Sequence, residues 1–453
     1  MNPESLWAKV PKGILRFRVQ ASMRVPAAIW PFLLLASSLP ASAIPIESPR
    51  PPQARVASSP VTPADQAYQQ GLKDLAANDL QAAERGFREA LKLDPVSAKA
   101  MLGLAEIAFR QKRQDDAGAW IRRAAQAAPD DSDVQASLGR LYVLQGKTRE
   151  AEAALRKSAD LDPGAFRPRV DLGDLLSAQG RLDEAVAFYR QASSINPQHA
   201  GVHYGLGVAL ARQGAGAEAQ AALEQAARLD PANPLPHLAL ARLHASRKAL
   251  DLALQAADKA LALQPGLVDG MLLRGDLLDD QGQAAQAIAS YRQAAQAVPT
   301  LAAPHLRIGM IAQRTGQVDL AVASYRKAIE LDPRQAVAYN NLATLALERK
   351  QDLGAAEGWA RKAVEIGPDV ADFHDTLGWV LRARGQGTQA LSALRQAARL
   401  APKNPEILYH LAVVYAEAGD KGNARAALTR ALRMPGSFPS SAEAKKLLAS
   451  VER

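Results

Sequence analysis

The chain contains no cysteine. It can form no disulfide, offers no thiolate nucleophile, and has no thiol to carry a lipid anchor. Aromatic residues make up only 5% of it, so small residues rather than rings must do most of the packing. A glycine-rich phosphate loop is missing, and so is the G-x-S-x-G turn of a serine hydrolase. Although the formal net charge is +9, no basic run is interleaved with aromatics, which argues against nucleic acid as a partner. Acids and bases instead alternate along the chain, as in Glu84-Arg85 and Arg88-Glu89, the pattern of solvated helix faces.

What the chain does have is a beat. Pro95, Pro129, Pro163, Pro197, Pro231, Pro265, Pro299 and Pro333 are each 34 residues apart; Pro368 follows after 35 and Pro402 after 34. Twelve residues before each proline stands an alanine, from Ala83 and Ala117 through to Ala356 and Ala390, and Ala424 extends the row. Five residues before each proline is a second alanine row, from Ala90 to Ala397, broken only by Ser158. Two small-residue rows held in phase mean stacked supersecondary units, and the alanine row counts eleven of them.

Each unit is predicted to be two short amphipathic helices. In residues 166–199, Leu172, Leu175 and Leu176 share one helical face, Gly180 interrupts, and Ala185, Phe188, Tyr189, Ala192 and Ile195 follow at helical spacing before Asn196-Pro197 ends the run. Gly146, Gly180, Gly214, Gly282, Gly316, Gly385 and Gly419 share the turn position, where a left-handed residue ends a helix. Asn78 substitutes tolerably there; Lys112, Lys248 and Lys350 make three turns less regular. A second shared position holds Gly71, Gly139, Gly173, Gly207, Gly275, Gly309 and Gly378, or alanine, and lets the paired helices approach. A large side chain there should cost about 1–3 kcal/mol by overpacking. The extra residue of the 35-residue unit falls in 350–354, in a turn.

The pattern Leu206-Gly207, Gly214, Ala219, Leu223, Ala226, Pro231 resembles the tetratricopeptide repeat (TPR), as does Leu172-Gly173, Gly180, Ala185, Tyr189, Ala192, Pro197. The resemblance covers residues 64–436 and implies an all-α, right-handed superhelical solenoid of about eleven helix pairs, with the first helices lining a concave groove. Ser440-Ser441-Ala442-Glu443 reads as a capping box, and Ala444, Leu447, Leu448 and Val451 form the stripe of a lone capping helix within 437–453.

The resemblance also places the partner-binding residues. Groove positions hold Glu106, Arg110, Arg140, Asp174, Arg212, Arg242, Asp276, Asp279, Asp280, Arg314 and Asn340, with Tyr68, Leu72, Tyr204, Trp379 and Tyr409 as the apolar and aromatic members. Trp379 is a candidate stacking platform, with packing against its neighbours the stronger expectation. Asp276, Asp279 and Asp280 form an acidic patch. The lysine–asparagine pair with which chaperone-binding TPRs hold C-terminal carboxylates is missing: Tyr68 and Leu72 stand there. Neither a catalytic group, a cofactor nor a metal is expected. His203, His237, His305 and His374 fall at one repeat position on separate layers, which predicts packing rather than ligation, and His199, His244 and His410 make no motif. Asp115-Asp116 and Asp130-Asp131 sit at helix starts, where carboxylates suit the dipole.

The N-terminus reads as an address. Arg24 precedes the apolar residues 27–36 and the small-x-small site Ala41-Ser42-Ala43, predicting a signal peptide over residues 1–43 that is cleaved after Ala43; Met23 is an alternative start. The stretch is too short and proline-broken for a membrane span. Residues 44–63 are proline-rich and predict a disordered tether.

A narrower resemblance rests on Asp375-Thr376-Leu377-Gly378-Trp379-Val380-Leu381, on residues 400–407 with His410-Leu411-Ala412, on Ala418-Gly419-Asp420-Lys421, and on the ending Phe438, Glu443-Ala444 and Leu447-Leu448. These are similar to the C-terminal repeats of TPR proteins encoded with bacterial exopolysaccharide and exosortase (PEP-CTERM) systems. That implies a non-catalytic scaffold, exported to the periplasm, holding envelope proteins or peptides and assisting polymer export or surface protein sorting. A cytosolic adaptor or co-chaperone, or a regulatory subunit of an envelope enzyme complex, is the alternative.

Overall fold

The computed structural model describes residues 61–452. The predicted signal peptide and all but the end of the predicted tether lie outside the described residues. Helices alternate along the whole described chain, and no strand occurs among the described residues.

The first six pairs are α1 (Pro63–Ala76) with α2 (Leu80–Leu93), α3 (Ala98–Arg110) with α4 (Gln114–Ala127), α5 (Ser132–Leu144) with α6 (Thr148–Leu161), α7 (Arg167–Ala178) with α8 (Leu182–Ile195), α9 (Ala200–Gln213) with α10 (Gly216–Leu229), and α11 (Pro234–Ser246) with α12 (Leu250–Leu263). Five more follow: α13 (Val268–Asp280) with α14 (Ala284–Ala297), α15 (Ala302–Arg314) with α16 (Val318–Leu331), α17 (Ala336–Arg349) with α18 (Leu353–Ile366), α19 (Ala371–Ala383) with α20 (Gly387–Leu400), and α21 (Pro405–Glu417) with α22 (Lys421–Leu432). A lone helix, α23 (Ser441–Val451), packs on α22. The chain divides into two compact units between Gln264 and Pro265. Within each, every helix packs on its pair partner and on the helix that follows.

Turn chemistry sets these boundaries. Every residue at the shared turn position is left-handed, the lysines included: φ is 60° at Lys112 and Lys248 and 51° at Lys350, against 68–84° at the glycines from Gly146 to Gly419. The lysine turns are therefore as regular as the others, and their cost is conformational, since a Cβ is disfavoured in this region. We expect Lys248→Gly to raise stability by about 0.5–1 kcal/mol, read as a higher urea midpoint; an unchanged or lower midpoint would show that the lysine side chain compensates. The extra residue is absorbed where expected, with Asp352 also left-handed (φ 44°) and its carboxylate accepting from the Ala355 amide at 3.1 Å. Asp131 caps α5 in the same way, accepting from the Val134 amide at 3.0 Å.

Packing follows the small-residue rows. Every alanine of the first row, from Ala83 to Ala424, is completely buried. Ser158, the exception in the second row, is also fully buried and donates its hydroxyl to the Ser132 carbonyl at 2.7 Å. The glycine row makes room for side chains rather than for helix backbones alone. Sixteen residues after each glycine comes a large side chain that fills the space a Cβ would need: a Cβ at Gly173 would lie 2.7 Å from the Tyr189 ring, at Gly275 2.6 Å from Tyr291, at Gly309 2.6 Å from Tyr325, and at Gly378 2.5 Å from Leu394. Where alanine replaces the glycine, the partner shrinks at Ala241 and Ala343, to Ala257 and Ala360, and stays large at Ala105 and Ala412, as Ile121 and Leu428. Some rings also reach the next repeat: Phe87 closes on Gly71 and Gly103, and Tyr189 on Gly173 and Gly205.

Candidate functional site

Within each unit the first helices of successive repeats touch one another: α1 on α3, α3 on α5, α5 on α7, α7 on α9 and α9 on α11 in the first, and α17 on α19, α19 on α21 and α21 on α23 in the second. Second helices make no comparable row, so the first helices lie on the inside of each unit's curve. The predicted groove residues all lie on first helices, those on α13 and α15 included.

Their side chains do a particular job there. Arg110 donates to the Leu75 carbonyl at 3.4 Å, and Arg212 donates to the Ser177 carbonyl at 2.7 Å and to its hydroxyl at 2.9 Å. Arg314 binds the Asp279 carboxylate, and Arg382 binds Glu417 with Nε 2.9 Å from Oε2. In each pair the residues are 35 apart, one repeat plus one residue. A second register, 31 residues apart, pairs Arg140 with Asp171 at 3.0 Å and Arg307 with Asp276 at 2.8 Å. Of the arginines read from sequence as partner contacts, Arg110, Arg212 and Arg314 thus tie their first helix to the one before it, and Arg140 to the one after. Exposed pairs of this kind contribute about 0–1 kcal/mol each; their larger effect is to fix register along the inner face. Glu106 is buried and pairs with Arg110 at 2.7 Å.

The carboxylates of the inner face differ in their surroundings. Asp174 keeps an open surface but is walled by protein, and burial raises its pKa to about 6, while the Tyr189 hydroxyl donating at 2.5 Å opposes the rise. Asp276 is also raised by burial, against Arg307 and the Tyr291 hydroxyl, which donates at 2.6 Å. Asp280 is exposed, and Arg242 is half-buried on α11. Tyr204 is half-buried and Tyr68 and Tyr409 are buried; burial raises all three phenols, Tyr409 to about 12. Asn340 is 6% exposed, and its side-chain oxygen has no hydrogen-bond partner. Leu72 packs against the buried cluster around Phe87.

Trp379 has its faces taken. The His410 ring stacks on it at 4.2 Å between centroids, and the Arg382 guanidinium lies 4.5 Å from its centroid. His410 is the residue that sequence reasoning missed. It is 3% exposed, its Nδ1 lies 2.9 Å from both Asp375 oxygens, and its Nε2 lies 3.6 Å from Glu406. The signal available was its place 35 residues after Asp375, the same offset as the arginine pairs.

Two local expectations are corrected. The capping box at Ser440 does not form: Ser440 makes no side-chain cap to α23 and instead gives its hydroxyl and, at 3.3 Å, its amide to Glu406. The acceptor on α21 outcompetes the helix's own amides, which ties the final helix across to the last repeat. The aligned histidines do more than pack. His203 and His374 are half-exposed, and their Nε2 atoms lie 2.8 Å from the carbonyls of Pro197 and Pro368, six residues back; Gln135 donates to the Pro129 carbonyl in the same way at 2.6 Å. These three side chains clamp the turn between repeats. Among the described residues no three histidines or carboxylates converge on a metal-sized site, and no helix is long and apolar enough to cross a membrane.

A chain of helix pairs, with charged first helices in contact along one face and small residues keying each pair together, is a helical-hairpin repeat protein. Tetratricopeptide repeat models match residues 68–132, 204–268, 306–371 and 376–442, and further models of the same repeat match 132–164, 173–214 and 268–299. The chain belongs to the tetratricopeptide repeat family. No curated protein matches it. Among solved structures it is similar to the APC/C Cut9–Hcn1 assembly (14% identity, 86% of this chain and 97% of that one, TM-score 0.45). It is also similar to Pseudomonas aeruginosa PilF (21%, 47% and 97%, 0.43) and to YrrB, described as having an unusual peptide-binding site (22%, 42% and 98%, 0.36). At these identities and scores the likeness extends to no partner or ligand.

Proposed function

We propose that this chain is a non-catalytic scaffold that holds one or more proteins or peptides along the inner face of its first helices. The observation that carries the reading is that the described chain consists of repeats and a closing helix, with successive first helices of each unit in contact along one face. A preformed surface with many weak contacts gives specificity without a reaction centre. The signal-like N-terminus supports export to the periplasm as a protein without a lipid anchor, and the C-terminal sequence resemblance supports a place in polysaccharide export or surface protein sorting. Nucleic acid is not an expected partner.

The test is a crosslinking pull-down from intact envelopes, with wild type and with Arg242→Glu and Asp280→Lys. Loss of specific bands in either variant supports the inner face; wild-type-like recovery moves the contact to another surface, and no partner with wild type ends the scaffold reading. Cell fractionation with N-terminal sequencing tests export: the expected product begins at Ile44, and an intact end in the cytosol would leave an adaptor as the function. Deleting the gene should change the amount or length distribution of surface polysaccharide if the narrower reading holds.

A further inference from the structure

Two carboxylates on the inner face of the second unit are perturbed only unfavourably. Glu348, near the end of α17, is half-buried, and burial pushes its carboxyl up. Asp372, in the first turn of α19, is half-buried and is pushed up by burial and then by the negative charge of Asp375. Every other perturbed carboxylate on this face has a donor: Asp276 has Arg307 and Tyr291. A half-buried carboxylate without a donor is a cost the fold does not offset internally.

An independent observation falls in the same place. Asn340, on α17, is 6% exposed, and its side-chain oxygen has no hydrogen-bond partner, while its amide nitrogen reaches only the Asn341 side chain at 3.4 Å. Buried acceptors are rarely left unsatisfied. Arg307 of one first helix pairs with Asp276 of the preceding one, 31 residues earlier; the same offset, with the extra residue of the α17–α18 turn counted, relates Asp372 to Asn340 one turn nearer the start of both helices. Glu348 lies two turns further along α17 on the same inner row. The three acceptors are thus strung along two neighbouring first helices, Glu348 about 12 Å from Asn340 along α17, and among the described residues no hydrogen-bond donor reaches either carboxylate or the Asn340 side-chain oxygen. The nearby arginine, Arg382, is committed to Glu417 and Trp379.

We propose that the inner face of α17 and α19 receives a lysine- or arginine-bearing extended segment of a partner protein, whose cationic side chains donate to Glu348 and Asp372 and whose backbone or side-chain N–H donates to Asn340. This rests on the scaffold reading and narrows it to one site and one partner chemistry. A cationic partner turns each unfavourable burial into a charge-assisted hydrogen bond. A metal ion is a poorer occupant, because no metal-sized group of three ligands forms among the described residues.

The probe is a fluorescein-labelled peptide of four Lys-Ala repeats, titrated by anisotropy into the full-length protein at low salt, with four Glu-Ala repeats as its counterpart. The lysine peptide should bind and the glutamate peptide should not. Glu348→Gln with Asp372→Asn should weaken binding by about tenfold or more, a loss of about 1.4 kcal/mol per factor of ten. Asn340→Leu should weaken it while leaving its salt dependence unchanged, because no charge is removed. Neutralising the carboxylates relieves burial cost, so these variants should melt at or above the wild-type temperature, and lost binding will not reflect lost folding. Glu89→Gln, on the second helix α2 of the other unit and outside the inner face, should bind the peptide as wild type does. Equal binding of both peptides, or wild-type affinity in the Gln/Asn double variant, overturns the proposal. If the envelope pull-down still recovers a partner in that event, the scaffold reading stands and only its partner chemistry falls.

Discussion

Tyr325→Ala is expected to lower stability by about 3–5 kcal/mol, the range for removing a buried aromatic from a core that cannot collapse. The ring has no exposed surface and sits among Ala312, Ala321, Ala328, Ala338, Leu342 and Leu345. Alanines cannot extend to fill the vacancy, so most of the cavity remains. The ring also occupies the hole that Gly309 leaves. Its hydroxyl donates to the Gln313 side-chain oxygen at 2.8 Å and accepts from the Asn341 amide at 3.0 Å, joining α15 to α17. Tyr325→Phe keeps the ring and loses only those bonds, costing about 1 kcal/mol. In a repeat array the damage should be local: hydrogen exchange in α15, α16 and α17 should accelerate before that of the outer repeats. The measurement is urea unfolding with exchange mass spectrometry. A loss below that of the phenylalanine variant would mean that the ring does not fill the space its neighbours define.

That ring illustrates what the sequence made legible. The period, the turn glycines and the alanine rows follow from local rules, because a left-handed turn and a close helix approach each demand a residue type at a fixed place. The all-helical fold could therefore be read directly, down to the turn that absorbs the extra residue at 350–354. The large residue sixteen positions after each glycine was visible too, but its meaning depends on packing between helices, which periodicity alone does not give. The candidate residues were legible as first-helix residues, and what each one touches was not. Arg110, Arg212 and Arg314 were identifiable as inner-face residues, yet whether an arginine faces a partner or the preceding helix is decided by what lies 35 residues earlier. The Ser440 box failed for the same reason: Glu406, 34 residues back, supplies an acceptor that a local rule cannot see.

His410 should make the C-terminal repeats more stable in mild acid than in mild base. Burial pulls its pKa down, but the Asp375 carboxylate, through charge and hydrogen bond, and then Glu406 outweigh it, so the net shift is upward from the ordinary 6.5. A group whose folded pKa lies above its unfolded one binds protons more tightly when folded, so its contribution is fully present below pH 6.5 and is lost as pH rises through the folded value. Arg382 on α19 acts weakly in the other direction. Trp379 stacks on the ring, and Tyr409 lies 5.8 Å from it, so the imidazole is held in place in both protonation states. His410→Leu leaves Asp375 and Glu406 facing an apolar side chain, and breaking a buried pair this way costs about 3–5 kcal/mol. That gap between wild type and variant should be widest near pH 6 and should narrow steadily toward pH 9. Asp375→Asn should flatten the same pH dependence without opening a cavity. Below about pH 5 the carboxylates themselves begin to protonate, and the gap should narrow again. Thermal melts of wild type, His410→Leu and Asp375→Asn across this range decide it. A difference between wild type and His410→Leu that stays constant with pH would mean that the imidazole stays neutral and that Trp379 stacking, rather than charge, holds α19 to α21.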